Sequence, residues 1–238
     1  MSPTAAKRVA PGPFVLFDGL KNHGAGANYD ARVAHGAKGW AVFGPEPEPS
    51  PFRYLLGRKI AQPQTREGLP MPGGASLDTD EVHARIAADL VVLFVLLNPS
   101  TADQDDNDPT ITRCIGYATD WGYSNLWVAN AFAYRSKDPY AMIKAHKRGE
   151  DVIGPLNDPL IRCASSLADR VVCAWGNHAR LGDRAAALRK LIEGDAPDGA
   201  DHPVPHVLKL NHKTREPVHP LYQPRALQAR PWWLVERE

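Results

Sequence analysis

Seven consecutive apolar residues, Val91 to Leu97, run into the polar turn Asn98-Pro99-Ser100-Thr101. A run this short and this uniformly apolar has no face to offer to water. It reads as a strand buried on both sides, the pattern of a parallel strand in an α/β protein. In open α/β sheets ligands collect outside the carboxyl ends of the strands, so Asn98 and the residues after it stand where chemistry is expected. Four carboxylates, Asp103, Asp105, Asp106 and Asp108, follow on the next loop.

The chain then alternates. Val82, Ile86 and Leu90 share one face of a short helix after Asp78. Asp108-Pro109 is a helix start, an acidic cap followed by proline in the first turn. Ile111, Cys114, Ile115 and Ala118 keep helical spacing until Gly122. NLWVAN (125–130), RVVCAW (170–175) and PHVLKL (205–210) read as three further strands. Between them lie a helix opened by Gly154-Pro155 and another carrying Leu181, Ala185, Leu188 and Ile192 up to Gly194. This order predicts a three-layer α/β/α sandwich around a central, mainly parallel four-stranded sheet. Right-handed crossovers then bring the loops 98–103, 130–135, 175–180 and 211–222 to one rim.

Upstream, residues 1–75 are rich in Pro and Gly, with an extended linker at GPEPEPSP (44–51), no clear periodicity over 23–40, and a loop at PMPGGAS (70–76). FRYLLGRKI (52–60) reads as a strand that joins the sheet or its edge. The expected division is a Pro/Gly-rich extension, 1–51, and an α/β domain, 52–238.

The chain's 238 residues are enough to bury a sizeable core, and its hydrophobic share of 43% and charged share of 23% fit a soluble globular protein. A net charge of +1 argues against bulk coating of nucleic acid but permits a local basic patch. Cys114, Cys163 and Cys173 form no CxxC pair, which argues against a disulfide framework, an iron–sulfur cluster or a structural zinc, and they read as core residues. No signal peptide or membrane-length apolar run is present, so a cytoplasmic protein is expected.

The four rim loops carry side chains suited to a base and a sugar-phosphate chain. Asn98 and Asn130 offer amides. Phe132, Tyr134 and Trp175 offer flat faces, and His178, His212 and His219 titratable nitrogens. Lys209, Lys213, Arg215 and Arg225 offer phosphate contacts. From His206 to Glu238 six Lys and Arg face three Glu, interleaved with Tyr222, Trp232 and Trp233. Plainer readings stand beside these. A strand-terminal Asn is often a turn former, the two tryptophans can close the core, and His178 can pack at a helix start. The run from Asp103 to Asp108 lacks the Gly and terminal Glu of a calcium loop, so it reads as a solvated loop ending in a helix cap, with no metal expected. No GxGxxG, Walker, HExxH or GxSxG motif occurs.

Two resemblances follow from these motifs. FRYLLGR, LLNPSTAD, NDPTITRCIGYATDWGY, NAFAYRSKDP, GPLNDPLI, CAWGNHA and HPLY, from Phe52 to Trp233, resemble the domain-of-unknown-function family 1643, which supplies no reaction. The order of the rim motifs is similar, more distantly, to the uracil-DNA glycosylase superfamily. Asn98-Pro99 resembles its first motif in the form of the mismatch-specific and thymine-DNA branches. Asn130 resembles the Asn that reads the pyrimidine edge, Trp175-Gly176 its third motif, and His219-Pro220-Leu221 its His-Pro-Ser loop. Leu96 stands where Gly is usual and Leu221 where Ser is usual.

That second resemblance implies a uracil-DNA glycosylase-like sandwich and a monofunctional DNA glycosylase without cofactor, acting on a flipped-out base. In it Asn98 would position water and His219 would stabilise the departing base. Asn130, with Ser100, Phe132, Trp175 and His178, would hold the base. Lys209, Lys213 and Arg215 would hold phosphates, and Leu221 or Tyr222 would fill the gap in the stack. Ser100, where strict uracil enzymes have a bulky Tyr, implies a pocket open at carbon 5. The expected substrate is therefore a modified pyrimidine such as 5-hydroxymethylcytosine or its glucosylated form in the DNA of bacterial viruses, and the expected role is antiviral. The alternatives are an N-glycoside hydrolase acting on small molecules and a non-catalytic nucleic-acid-binding module.

Overall fold

The computed structural model describes residues 31–44, 49–60, 90–194 and 204–237. The expected helix from Val82, up to residue 89, the loop at 70–76 and residues 45–48 of the 44–51 linker lie outside the described residues. The described strands are β1 (Arg32–His35), β2 (Gly39–Phe43), β3 (Arg53–Lys59), β4 (Val91–Leu96), β5 (Asn125–Asn130), β6 (Arg170–Cys173), β7 (Pro205–Val207) and β8 (Arg230–Pro231). The helices are α1 (Pro109–Asp120), α2 (Pro139–Lys147), α3 (Asn157–Leu167), α4 (Arg184–Glu193) and α5 (Trp232–Val235).

All eight strands join one sheet in the order β1-β2-β3-β5-β4-β6-β7-β8. This corrects the expected mainly parallel four-stranded sheet. The sheet is mixed, and four of its seven neighbouring pairs are antiparallel: β1–β2, β2–β3, β3–β5 and β7–β8. Only β5–β4, β4–β6 and β6–β7 are parallel. The reason lies in the connections. Helical crossovers impose parallel pairing, but β1, β2 and β3 are joined without crossover helices and add antiparallel strands outside β5. Two of these, β1 and β2, come from the segment read as an extension.

β4 occupies the centre and is buried along its whole length. Alternation splits its side chains between two cores. Leu93, Val95 and Leu97 pack with α2, α3 and α4 through Met142, Leu160, Ile161 and Leu188. Val92, Phe94 and Leu96 pack with α1 through Ile111, Cys114, Tyr117 and Ala118. Phe94 stacks against Tyr117 and Trp121, at ring centroid distances of 6.3 and 5.8 Å. All three cysteines are buried and form no disulfide among the described residues, and burial pushes the Cys163 thiol up to about 11.

The caps explain where helices begin. Asp108 Oδ1 accepts the Ile111 N–H at 2.8 Å, and Pro109 fills the first turn of α1. Asp138-Pro139 repeats the device for α2, with the Tyr140 N–H donating to Asp138 Oδ1 at 2.9 Å. Further on, the expected bounds shrink. The helix expected from Leu181 starts at Arg184, because Gly182 and Asp183 are left-handed at φ 58° and 56°. The strand expected over 205–210 ends at Val207, and the chain folds back so that Val218 N–H donates to Lys209 O at 3.0 Å. Among the described residues no helix is long and apolar enough to cross a membrane.

Candidate functional site

The parallel run of strands brings three expected residues to one edge of the sheet. Asn130 ends β5 opposite Leu96, and Asn98 follows β4 by two residues. The Asn98 Nδ2 donates to the backbone carbonyls of Ser136 at 2.9 Å, Pro99 at 3.2 Å and Tyr134 at 3.5 Å. Three carbonyls around one nitrogen settle which way the amide faces. The donor side is spent on the protein, and Oδ1, with no hydrogen bond among the described residues, remains an acceptor on a half-buried side chain.

Asn130 is 1% exposed, and its Nδ2 finds no hydrogen-bond partner among the described residues. A buried amide nitrogen without an acceptor costs free energy. The backbone around it is pinned. Asn157, at the start of α3, donates from Nδ2 to Asn130 O at 3.0 Å and Ala131 O at 3.2 Å. Arg184 Nε adds a bond to Ala131 O at 2.7 Å, and its guanidinium is held by both oxygens of Asp158.

His219 reaches this edge from the last long loop. Gly176, after β6, donates to Pro217 O at 2.8 Å, and a Cβ on Gly176 would lie 3.7 Å from the His219 Cβ. The imidazole Nδ1 accepts the Leu221 N–H at 3.4 Å. Burial pushes its pKa below the ordinary 6.5, and the nearby Asp108 carboxylate offsets this only in part. The ring is therefore neutral at pH 7. Because Nδ1 is an acceptor, its proton sits on Nε2, which is left as a neutral donor.

The acidic loop has a different task. Asp103 Oδ1 accepts the N–H groups of Asp105 and Asp106, each at 2.9 Å, which folds the loop on itself. Asp105 Oδ1 accepts the Ala37 N–H at 2.9 Å from the β1–β2 turn, and Asp106 pairs with Lys38 at 3.4 Å. Underneath lie two arginines of β3. Arg58 donates to Asn107 Oδ1 at 2.8 Å, to Asp106 O at 3.0 Å and to Asp103 O. Arg53 is 1% exposed, donates to Ala102 O and leaves Nε without a partner among the described residues. Burial pulls its pKa down to about 10 against the pull of Asp108. A bulge aims it there: Val42 pairs with Leu55 but Phe43 with Arg53, so Tyr54 is an extra residue. Among the described residues no group of three or more His, Cys, Asp or Glu could hold a metal ion.

The other expected residues are scattered. Phe132 and Trp175, each 1% exposed, lie in the core on the α3 side of the sheet. Trp175 donates from Nε1 to Glu216 at 3.0 Å and packs edge-on against Trp232. Arg215 donates to Glu236 O at 2.9 Å and so closes the end of α5. Arg225 pairs with Asp120 at 2.6 Å. Ser100 is half-buried beside Asn98, whereas Lys209 and Lys213 are exposed. Tyr222 is 88% exposed next to the half-buried Leu221. His178 stands outside, edge-on to Tyr140 with ring centroids 5.5 Å apart.

Sequence reasoning missed Asn157, Arg184, Arg53 and Tyr140. Asn157 and Arg184 sit at helix starts among polar residues, where nothing local distinguishes a buried clamp from a solvated side chain. Tyr140 follows Asp138-Pro139, the same start signal that is legible at Asp108-Pro109.

A family model described as "Protein of unknown function (DUF1643)" matches residues 83–221. Neither a curated protein nor a solved structure matches the chain.

Proposed function

We propose that this chain, which belongs to the DUF1643 family, is a DNA glycosylase that hydrolyses the N-glycosidic bond of a flipped-out modified pyrimidine. One observation carries the reading. A neutral imidazole donor, His219 Nε2, and an amide acceptor, Asn98 Oδ1, stand on the same edge of the sheet. Hydrolysis of an N-glycoside needs both. The base departs with the bonding electron pair, and negative charge grows on its ring. A neutral donor stabilises that charge without giving up a proton in advance. At the sugar, C1′ becomes cationic, and an acceptor beside it holds and orients the attacking water. The water oxygen bonds to C1′, and its proton ends on the released base.

The remaining roles follow from position. The unsatisfied Nδ2 of Asn130 offers a donor to an acceptor on the base edge. Tyr222, with most of its ring in solvent beside His219, is the side chain free to enter a base stack. Ser100 is small and leaves room at carbon 5, which favours 5-hydroxymethylcytosine or its glucosylated form over plain uracil. Such an enzyme would leave abasic sites in viral DNA carrying those bases, an antiviral role. The resemblance of the Asn98-Pro99 and His219-Pro220 motifs to the uracil-DNA glycosylase superfamily supports the same chemistry. Phe132 and Trp175 do not belong to the base pocket in this reading, and Arg215 is not a phosphate ligand.

The test is a panel of oligonucleotide duplexes and single strands carrying uracil, a thymine mismatch, 5-hydroxymethylcytosine or its glucosylated form, with free nucleosides alongside. Alkali then cleaves at any abasic site. Cutting at the 5-modified bases, abolished in Asn98→Ala, is the expected result. Cutting at uracil alone would remove the argument from Ser100. Release from free nucleosides but not from DNA would make the protein a small-molecule hydrolase.

A further inference from the structure

The edge that carries Asn98 continues into a strip of exposed aromatic and basic side chains. Tyr140, on the first turn of α2, is 61% exposed, although a tyrosine of this size is ordinarily at least half covered. Its ring meets His178 edge-on, at 5.5 Å and 70°. Both residues are tied to the site by short connections. The carbonyl of Ser136, four residues before Tyr140, accepts the Asn98 amide at 2.9 Å. Gly176, two residues before His178, approaches His219. On the far side Thr214 Oγ1 donates to Asn177 Oδ1 at 2.6 Å, which holds the hairpin tip bearing Lys213 against the residue preceding His178.

Charge on the strip is positive. Lys137, Arg180 and Lys213 are exposed and make no ion pair among the described residues. The acids nearest to Lys137 and Arg180 in the chain are Asp138, which caps α2, and Asp183, and the half-buried Glu216 near Lys213 is engaged by Trp175, so the three cations outnumber the two exposed acids. Two exposed rings packed edge to face, flanked by cations that make no ion pair among the described residues, match an unpaired nucleotide. Its base stacks on an aromatic ring, and its phosphate is drawn to Lys or Arg. Paired bases inside a duplex offer no such face.

The geometry points to Tyr140 and His178 as a stacking platform for unpaired nucleotides next to the excision site, with Lys137, Arg180 and Lys213 along the phosphates, so that the protein engages single-stranded or locally opened DNA. The inference rests on reading the rim as a nucleic-acid site and names the strand state that it takes.

Binding of a fluorescein-labelled 15-nucleotide single strand and of its duplex, followed by anisotropy at several salt concentrations, tests it (the length is on the order of the site sizes seen for stacking platforms). Wild type is expected to prefer the single strand. Tyr140→Ala should weaken single-strand binding about 5- to 100-fold, the range for loss of one base–aromatic stack. Tyr140→Phe, which keeps the ring, should restore it. Lys137→Ala should reduce the slope of log affinity against log salt by about 0.7. Tyr140 is largely in solvent, so its replacement leaves the fold intact. Wild-type affinity in Tyr140→Ala, or a preference for duplex, overturns the platform even where base release is observed. Loss of binding in Tyr140→Ala with retention in Asn98→Ala supports it, even where no base is released and the glycosylase reading fails. Absence of any DNA binding overturns both.

Discussion

Asn98 and His219 are set up by backbone groups, and that makes their substitutions specific. In the proposed reaction Asn98→Ala removes the group that orients water and should lower base release by about 10²-fold or more, the scale of loss when a reactant is no longer held in place. Asn98→Asp should not rescue it. An oxygen in place of Nδ2 would face the carbonyls of Ser136, Pro99 and Tyr134, leaving them without their donor. We expect a stability loss of about 1–3 kcal/mol by urea unfolding, together with the loss of activity. His219→Leu should cost about 10²–10³-fold in rate, as removal of a single anion-stabilising donor does elsewhere. The pH dependence has a definite sign. The folded pKa of His219 lies below the ordinary 6.5, so the stability held by its neutral form is complete above about pH 6.5 and is lost as pH falls through the folded value. A pH–rate profile should therefore be level from pH 7 upward as far as this group is concerned, with its acid limb displaced below 6.5.

At the level of elements, the β5 loop and the β2–β3 pair depend on single residues. Asn157 is fully buried, and its Nδ2 serves two carbonyls at the end of β5. Asn157→Ala leaves Asn130 O without that donor and should cost about 1–3 kcal/mol, while loosening the strand end that presents Asn130. In β3, the ring of Trp40 occupies the space that a Gly57 side chain would need, and it packs edge-on to Trp127 at 6.1 Å. Gly57→Val should overpack this site and destabilise by about 1–3 kcal/mol, read as a lower urea midpoint with an unchanged slope. Elements with strong local signals were legible in the sequence. β4 and β5 are uniformly apolar runs, and α1 has both a cap and a stop. The β1–β2 pair was not legible, because four and five residues with few buried side chains carry almost no period, and partner strands decide their pairing.

For the whole molecule, the arrangement at β3 ties the first two strands to the loop after Asn98. The acidic loop after Asn98 is held between the β1–β2 turn and Arg58, with Arg53 beneath it. Deleting residues 1–44 would strip β3 of its partner strand and free Asp105 and Asp106 from Ala37 and Lys38. We expect such a variant to aggregate during size-exclusion chromatography, because the exposed edge of β3 is a template for further pairing. The sequence by itself determined the strand that runs up to the Asn98 turn, the strand that ends in Asn130 and the helix capped by Asp108. These follow from periodicity and capping, which act over a few neighbouring residues. Only the tertiary structure decided the direction of each strand pair, and with it the mixed sheet. It also put Phe132 and Trp175 in the core on the α3 side of the sheet. Both outcomes depend on which distant residues come to lie beside a strand or a loop. A local pattern carries no record of that choice, because the burial and hydrogen bonding that settle it exist only once the whole chain has packed.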